Sequence, residues 1–506
     1  MPRNGLQEHV FCLRSNIGDF LHTSSTLYTA FFDIKDAFGT IDHEFMINEL
    51  TSAGYPQAFI DITRDIYSCS TFQVKTAAGL TKSIQRGKGI IQGCPWSVVV
   101  FEQGIDKWLR WIEQPYPPHS IPNPVQGYVD DVSASGTSEA QIAEAVRKTD
   151  EFMATSGMEV KHTKCGILHG RRSGSSWSKN DTTGEVRLCI QQKELPVYDR
   201  EQSYTYLGYN INISNTASLQ QAADVVDNFK ATLNKIDAAP LPTVAKLQAI
   251  NTIACSKLNF YFPNLTFTVK SLKEMEDCIV KNVRAWLRLN NSSTRSFMFT
   301  PRAHGGLGIL NPSAMYSAKH LSFSLAVLNC DDPQVRETAR ASLALHMQKR
   351  KVPVAPEADS NTFAGYQRTE EGNLLKQCRV TWARSDWVHL NELCVRDGVV
   401  LEHRLTDDNY LLTFTLDNEM TVSVFDSRAA YRLCKQHKNS AFAELWKEKD
   451  WQGRVVREAR EIDHRLSNAY LNNVNLRDSL ISFVIRGRLQ LLQCNSLMSL
   501  YYPNEC

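Results

Sequence analysis

Two adjacent aspartates, Asp130 and Asp131, interrupt a run of apolar and small residues, GYVDDVSAS at 127–135. Neighbouring carboxylates repel, and partial burial adds to the cost unless something positive offsets them. The flanking residues read as two short strand-like arms, so the pair falls where the chain reverses. Two structures satisfy this pattern. One is an exposed turn, where repulsion costs little and Asp is a favoured residue. The other is half of a cation site.

The surrounding pattern sets the architecture. LYTAFFDI (27–34) is rich in aromatic and branched residues and reads as a buried strand. A helix is predicted from about Asp42, with Gly54 and Pro56 at its end, and a second over PQAFIDITRDIYSC. TFQVKTAAGLTKSIQRG (71–87) is a hairpin turning at Ala78-Gly79. GIIQGCPWS (89–97) is a glycine-punctuated turn leading into an apolar helix with Pro95 in its first turn. SEAQIAEAVRKTDEFMATSG (138–157) is an amphipathic helix ending at Gly157, and short strands follow in CGILHG, VRLCIQ and YTYLGYNINI. Strands and helices are thus interleaved to about residue 213, in hairpins rather than repeated strand-helix-strand units. This predicts an α+β domain with an antiparallel sheet. Beyond 213 the pattern is mostly helical, through PTVAKLQAINTIAC and LKEMEDCIVKNVRAWLRL to a turn-rich TPRAHGGLGILNP (300–312). Residues 352–372 read as a linker, and the remainder as mixed, with helices near the end.

Composition excludes more than it selects. A chain of 506 residues with 42% hydrophobic and 22% charged residues has room for two to four domains. No apolar stretch approaches the roughly 18 residues that span a bilayer, so no membrane partner is expected. Thirteen scattered cysteines without a C-x-x-C pair read as reduced thiols. The net charge of +2 leaves any nucleic-acid surface to be local.

A third acid, Asp33, closes the first buried strand in FFDIKDAFGTIDH. Ionised carboxylates are rarely buried unpaired. If the two segments are neighbouring strands, Asp33, Asp130 and Asp131 meet. Three converging carboxylates are what a two-metal phosphoryl-transfer site needs, with Mg²⁺ as the hard, oxygen-preferring ion. No G-x-S-x-G elbow and no G-x-x-x-x-G-K-[ST] loop is present, which excludes two other catalytic designs.

FFDIKDAFGTIDH, GIIQGCPWS, YVDD, GMEVKHTKCGIL and YTYLG occur in that order. Together they resemble the successive palm motifs of reverse transcriptases, specifically those of non-LTR retrotransposons. KIDAAPLPTVAKLQAINTIACSKLNFYF, VRAWLRLN and HGGLGILNP resemble the thumb of site-specific elements that carry a restriction-like endonuclease. WQGRVV and FVIRGRLQLLQCNSL resemble the segment before that family's zinc knuckle. The resemblance implies a right-hand polymerase: partial fingers and palm over 1–213, a helical thumb over 214–312, a helical segment and linker over 313–372, and a C-terminal region over 373–506. The implied activity is RNA-directed DNA polymerisation, with an RNA template, a DNA primer and dNTPs as partners, inside the cell and in the nucleus.

Position by position, the resemblance implies that Asp33 and Asp130 hold two Mg²⁺ ions, with Mn²⁺ as an alternative, and that Asp131 assists. The backbone carbonyl of Ile34 faces the metals. Phe38 is a steric gate against a 2′-hydroxyl; by itself it is equally a packing residue. Gln92 and Gly93 lie beside the incoming nucleotide. Lys164 protonates the leaving pyrophosphate; taken alone it reads as a surface charge. Tyr206, Leu207 and Gly208 form the primer grip, and Tyr128 packs under the aspartate turn.

Some positions depart from the family. Upstream of Asp33 only NGLQEHVFCLRSNI resembles a finger segment, so the family's earlier finger motifs and their nucleotide-gripping cations are expected to be missing. Ile91, Trp96, Val98 and Lys161 stand where the family usually has a basic residue, Leu, Pro and Asn. Cys506 falls near the first zinc-knuckle position without three further ligands, so no zinc is expected. The alternative function is a catalytically inactive remnant that binds RNA or an RNA-DNA hybrid through its palm and thumb. Basic residues in KHTKCGILHGRRSG would serve that reading, or simply form a solvated surface.

Overall fold

Strand β1 (Thr26–Asp33) is buried along nearly its whole length, because it lies in the middle of a sheet covered on both faces. In the computed structural model, which describes residues 5–23, 26–114, 124–173, 176–177, 187–349, 386–404, 408–415, 421–458, 463 and 467–491, a two-residue strand, Ser176–Trp177, pairs with residues 172–173 of this six-stranded sheet, and four further strands complete it. They are β2 (Val125–Tyr128), β3 (Asp131–Gly136), β4 (Gly166–Ser173) and β5 (Val197–Tyr198), in the order β5-β4-β1-β3-β2. All neighbours are antiparallel except β5 with β4. The architecture is the α+β sheet read from the sequence.

Period-two alternation divides the residues of β1 between the faces. Phe32 meets Trp108, whose ring stacks on Phe152 at 5.3 Å. Those two rings come from helices Pro95–Glu113 and Glu139–Ser156, so these helices cover one face. The second helix starts in a capping box, with Ser138 and Gln141 reciprocally bonded, and ends at Gly157 in the left-handed conformation. On the opposite face Phe31 stacks on Tyr204 at 4.0 Å and touches Tyr206. These tyrosines belong to a separate hairpin, β6 (Tyr204–Tyr206) and β7 (Tyr209–Ile211). Its two-residue turn, Leu207-Gly208, has both residues at positive φ (48° and 81°), the geometry of a tight type I′ turn.

The chain forms two compact units. The first is Met1–Ser218 with Cys330–Leu345, and contains the sheet. Within it, burial lowers the pKa of His9 while Asp332 opposes that shift, which places the 330s segment beside the Gly5–Thr23 helix. The second unit is Leu219–Asn329 with the residues from His346 onward. It packs helices Val269–Leu287, Pro312–Leu328 and Ser427–Lys447, together with a three-stranded antiparallel sheet over 399–424. The helix expected over PTVAKLQAINTIAC passes into a π turn. That turn, Ile250–Cys255, separates Thr243–Ala249 from Ser256–Tyr261. There Asn251 donates to the Gly308 carbonyl and accepts from the Leu310 N–H, both at 2.9 Å. The extra residue thus turns an amide toward the backbone of the HGGLGIL stretch. No described helix is long and apolar enough to cross a membrane. The 352–372 linker and Cys506 lie outside the described residues.

Candidate active site

Register brings the acids together. β1 and β3 pair so that Asp33 lies directly opposite Asp131. Directly opposed residues of an antiparallel pair project to the same face a few ångströms apart, and like charges there are destabilising. The β2–β3 hairpin closes through Val129-Asp130, with Tyr128 opposite Asp131, so Asp130 stands at the tip beside the pair. Tyr128 itself meets the His9 ring edge-on at 5.8 Å. Val129 occupies the left-handed region at φ 60°. A β-branched residue there is a genuine outlier, and such strain clusters at functional sites.

Asp33 is 4% exposed. Its carboxylate accepts from Lys164 Nζ at 2.7 Å. Lys164 comes within reach because the chain after Gly157 runs back beside β1. Ile34 bridges Val160, and the flanking bonds run from Lys161 N–H to the Asp33 carbonyl and from Lys35 N–H to the Glu159 carbonyl, both at 2.8 Å. The short turn His162–Lys164 then turns the lysine back onto the strand end. In this bridge the N–H and C=O of Ile34 point away from Val160. The N–H reaches the Asp130 carbonyl at 3.4 Å, and the Ile34 carbonyl therefore also faces the aspartate turn.

The electrostatics show a surplus of negative charge. Burial pushes the Asp131 carboxyl up to about 6, with the charges of Asp130 and Asp33 adding, Lys164 opposing, and a hydrogen bond to Asp33 favouring the protonated form. Asp130 is raised as well, by burial first and Asp33 next, against its own backbone hydrogen bond and Lys164. Lys164 is raised by its bond to Asp33. The donor set, three carboxylates and a carbonyl, suits a hard divalent cation. Among the described residues no three His, Cys, Asp or Glu side chains already converge on one point, so holding an ion requires the carboxylates to turn inward.

Phe38 lies in the short helix Ala37–Thr40 and stacks on Phe101 at 4.6 Å. The loop carrying Gln92 and Gly93 is tied to it through the backbone. Ile90 N–H donates to the Phe38 carbonyl at 2.6 Å, Gly89 N–H to Ile41 at 2.8 Å, and His43 Nε2 to the Gly89 carbonyl at 2.7 Å. Gly89 is required: at φ 74° any Cβ would lie 2.5–2.7 Å from the Gly39 and Phe38 carbonyl oxygens. Gln92 and Gly93 are exposed on this loop, and no described bond joins them to the acids. The neighbouring hairpin has its tip at Ala77-Ala78, between Thr76 and Gly79, one residue earlier than expected. The cause is Gly79, which at φ 116° takes the paired position after the turn.

Two residues at the site were not singled out from the sequence. The Cys165 thiol lies 3.5 Å from the Asp33 N–H, and burial pushes it up to about 11. Tyr204 stacks under Phe31 and donates its hydroxyl to the Lys164 carbonyl, tying the β6–β7 hairpin to the lysine turn. The period-two spacing of Tyr204 and Tyr206 carried that signal.

Residues 6–211 match the family model "Reverse transcriptase (RNA-dependent DNA polymerase)". The Pol polyprotein of the type-2 retrotransposable element R2DM of Drosophila melanogaster is 23% identical over 327 residues, 64% of this chain and 30% of that protein. The R2 polyprotein of Nasonia vitripennis is 19% identical over 413 residues, 81% of this chain and 39% of that protein. The chain thus spans about a third of the length of these relatives. Among solved structures, telomerase from Candida tropicalis in complex with a telomeric RNA fragment matches 68% of this chain and 53% of that one, at 12% identity and a TM-score of 0.34. The assignment rests on the family model and the sequence relatives. They mark residues 6–211, which hold the antiparallel sheet and its acidic register pair, as a reverse transcriptase domain. The relatives that match the chain are polyproteins of non-LTR retrotransposable elements.

Proposed function

We propose that this chain extends a DNA primer on an RNA template by two-metal nucleotidyl transfer. The observation that carries the reading is the register pair Asp33 and Asp131 with Asp130 at the adjoining turn, an arrangement whose charge calls for cations. Asp33, Asp130, Asp131 and the Ile34 carbonyl would hold two Mg²⁺ ions, with Mn²⁺ as an alternative. Bound there, the ions supply positive charge for the attacking and leaving oxygens. The primer 3′-hydroxyl loses its proton to water and attacks the α-phosphate of a dNTP, forming a phosphodiester as the bond to the leaving pyrophosphate breaks. Lys164 holds a proton next to Asp33 and gives it to the leaving pyrophosphate. Phe38, fixed by Phe101 and by Ile90, excludes a ribose 2′-hydroxyl, while Gln92 and Gly93 flank the nucleotide. Tyr206, Leu207 and Gly208 seat the primer end, which the tie from Tyr204 to the Lys164 carbonyl keeps in register with the acids. A nuclear location belongs to the same reading.

Primer extension on an RNA template with Mg²⁺, comparing the native chain with Asp130→Asn, tests the proposal. Extension that falls at least ~100-fold in the variant is expected, the scale of losing one electrostatic group at a transition state. No extension by either protein, with salt-sensitive binding of the primer-template retained, would establish the inactive nucleic-acid-binding reading instead.

A further inference from the structure

The helical unit contains a charged site of its own. Helix Val269–Leu287 stops at Arg288, which takes the left-handed C-cap conformation (φ 52°, ψ 41°). The chain then turns back along the last turns of the helix. Between helix and loop lies a cleft of about 320 Å³, lined among others by Asp277, Lys281, Arg284, Asn291 and Arg295.

The cleft is built rather than incidental. Arg284 donates through Nε to Ser293 Oγ at 3.2 Å and through Nη2 to the Ser293 carbonyl at 2.6 Å. Arg295 reaches Asp277 at 2.6 Å. The loop is clamped from outside by Gln452, which accepts from Thr294 N–H at 2.6 Å and donates to the Ser292 carbonyl at 2.9 Å. Trp446 Nε1 in turn holds the Gln452 carbonyl at 2.8 Å. The WQGRVV stretch thereby acquires a physical role: it fixes the loop that carries Arg295.

Three cations against one carboxylate leave an excess of two positive charges around the cleft. Burial, then the charge of Arg295, pushes the Arg284 guanidinium below its ordinary range, so an anion beside Arg284 would offset that cost. Oriented guanidinium groups, an ammonium and an amide suit tetrahedral phosphate oxygens. We propose that this cleft binds a phosphate group, and that the group is a backbone phosphodiester of the nucleic acid, a source that rests on the function proposed above.

The test is the double variant Lys281→Ala/Arg295→Ala, leaving Arg284 to hold the loop. Lys281 is exposed and the Arg295–Asp277 pair is about half exposed. Such pairs contribute little to stability, and a thermal melt checks that the variant is folded. Binding of an RNA-DNA duplex is measured by fluorescence anisotropy across salt concentrations in EDTA. The slope of log affinity against log salt should fall by roughly one for each phosphate no longer neutralised, with affinity down about tenfold near 0.1 M salt. A control double variant at the exposed Lys435 and Lys449 should change affinity less than about twofold. An equal fall in the control overturns the proposal. A second probe, inorganic pyrophosphate, is followed by thermal shift. A shift in the native chain that the double variant abolishes, with duplex binding unaltered, supports the phosphate site with a free phosphate as its source. No effect of the double variant on either probe overturns it. Because the carboxylates take no part in binding under EDTA, failure of primer extension leaves these results standing.

Discussion

Replacing Asp131 by Asn should stabilise the metal-free protein at neutral pH. In the native chain the Asp131 carboxyl is raised from 3.8 to about 6. A carboxylate whose pKa is raised by folding stabilises the fold fully below its unfolded pKa, and that contribution is lost as pH rises through the folded pKa. At about 1.4 kcal/mol for each unit the full loss is about 3 kcal/mol, an upper figure because Asp131 remains partly open to solvent. About 2 kcal/mol of it falls between roughly pH 4.5 and 7.5, above the range where most other carboxylates titrate. Asn keeps a donor toward Asp33, as the protonated acid does, but cannot ionise. Urea unfolding in EDTA across that interval is the assay. The native chain should lose about 2 kcal/mol relative to Asp131→Asn as pH rises. Mg²⁺ at about 100 times its dissociation constant should return up to ~2.7 kcal/mol to the native chain and less to the variant. Parallel pH profiles for the two proteins would refute the reasoning, because the opposed pair of acids would then cost nothing. Greater stability of Asp131→Asn together with abolished extension would mark the site as one where stability is given up for function.

Val129→Asn should stabilise the chain by about 1 kcal/mol in chemical denaturation, since Asn tolerates the left-handed region that a β-branched residue does not. Val129 is already half exposed, so the substitution sacrifices little packing. Gly89→Ala should destabilise by ~2 kcal/mol or more, because its Cβ meets backbone carbonyls of Phe38 and Gly39 at a positive φ. Thermal unfolding reads that loss. A neutral result would mean that the loop is not tied to Phe38 as the structure shows.

Much of the site could be read from local pattern. An apolar run ending in Asp33, and paired aspartates between two strand arms, need only period-two alternation and the cost of burying charge. The helix after Ser138 was bounded by its cap and by Gly157, both local signals. The misplaced hairpin tip shows the limit: Ala78-Gly79 is the expected turn pair, yet Gly79 serves as the paired residue after it. Lys164 read equally well as a surface charge, because its partner Asp33 is 131 residues away. Cys165 had no local mark of its role and Tyr204 only its period-two spacing with Tyr206; both roles come from packing against β1.

The sequence by itself determined the chemical inventory: three acids at strand ends, a glycine-bounded loop after Phe38, and a Leu-Gly turn after paired tyrosines. These follow from short-range sterics and periodicity, which act within a few residues. Tertiary structure alone decided that Asp33 stands opposite Asp131, that Lys164 neutralises Asp33, that Val129 is strained, and that Gln452 braces an arginine-lined cleft. Each of these depends on strand register or on distant segments being packed together. Register is set by the summed burial of whole strand faces, a quantity that no short stretch of sequence contains.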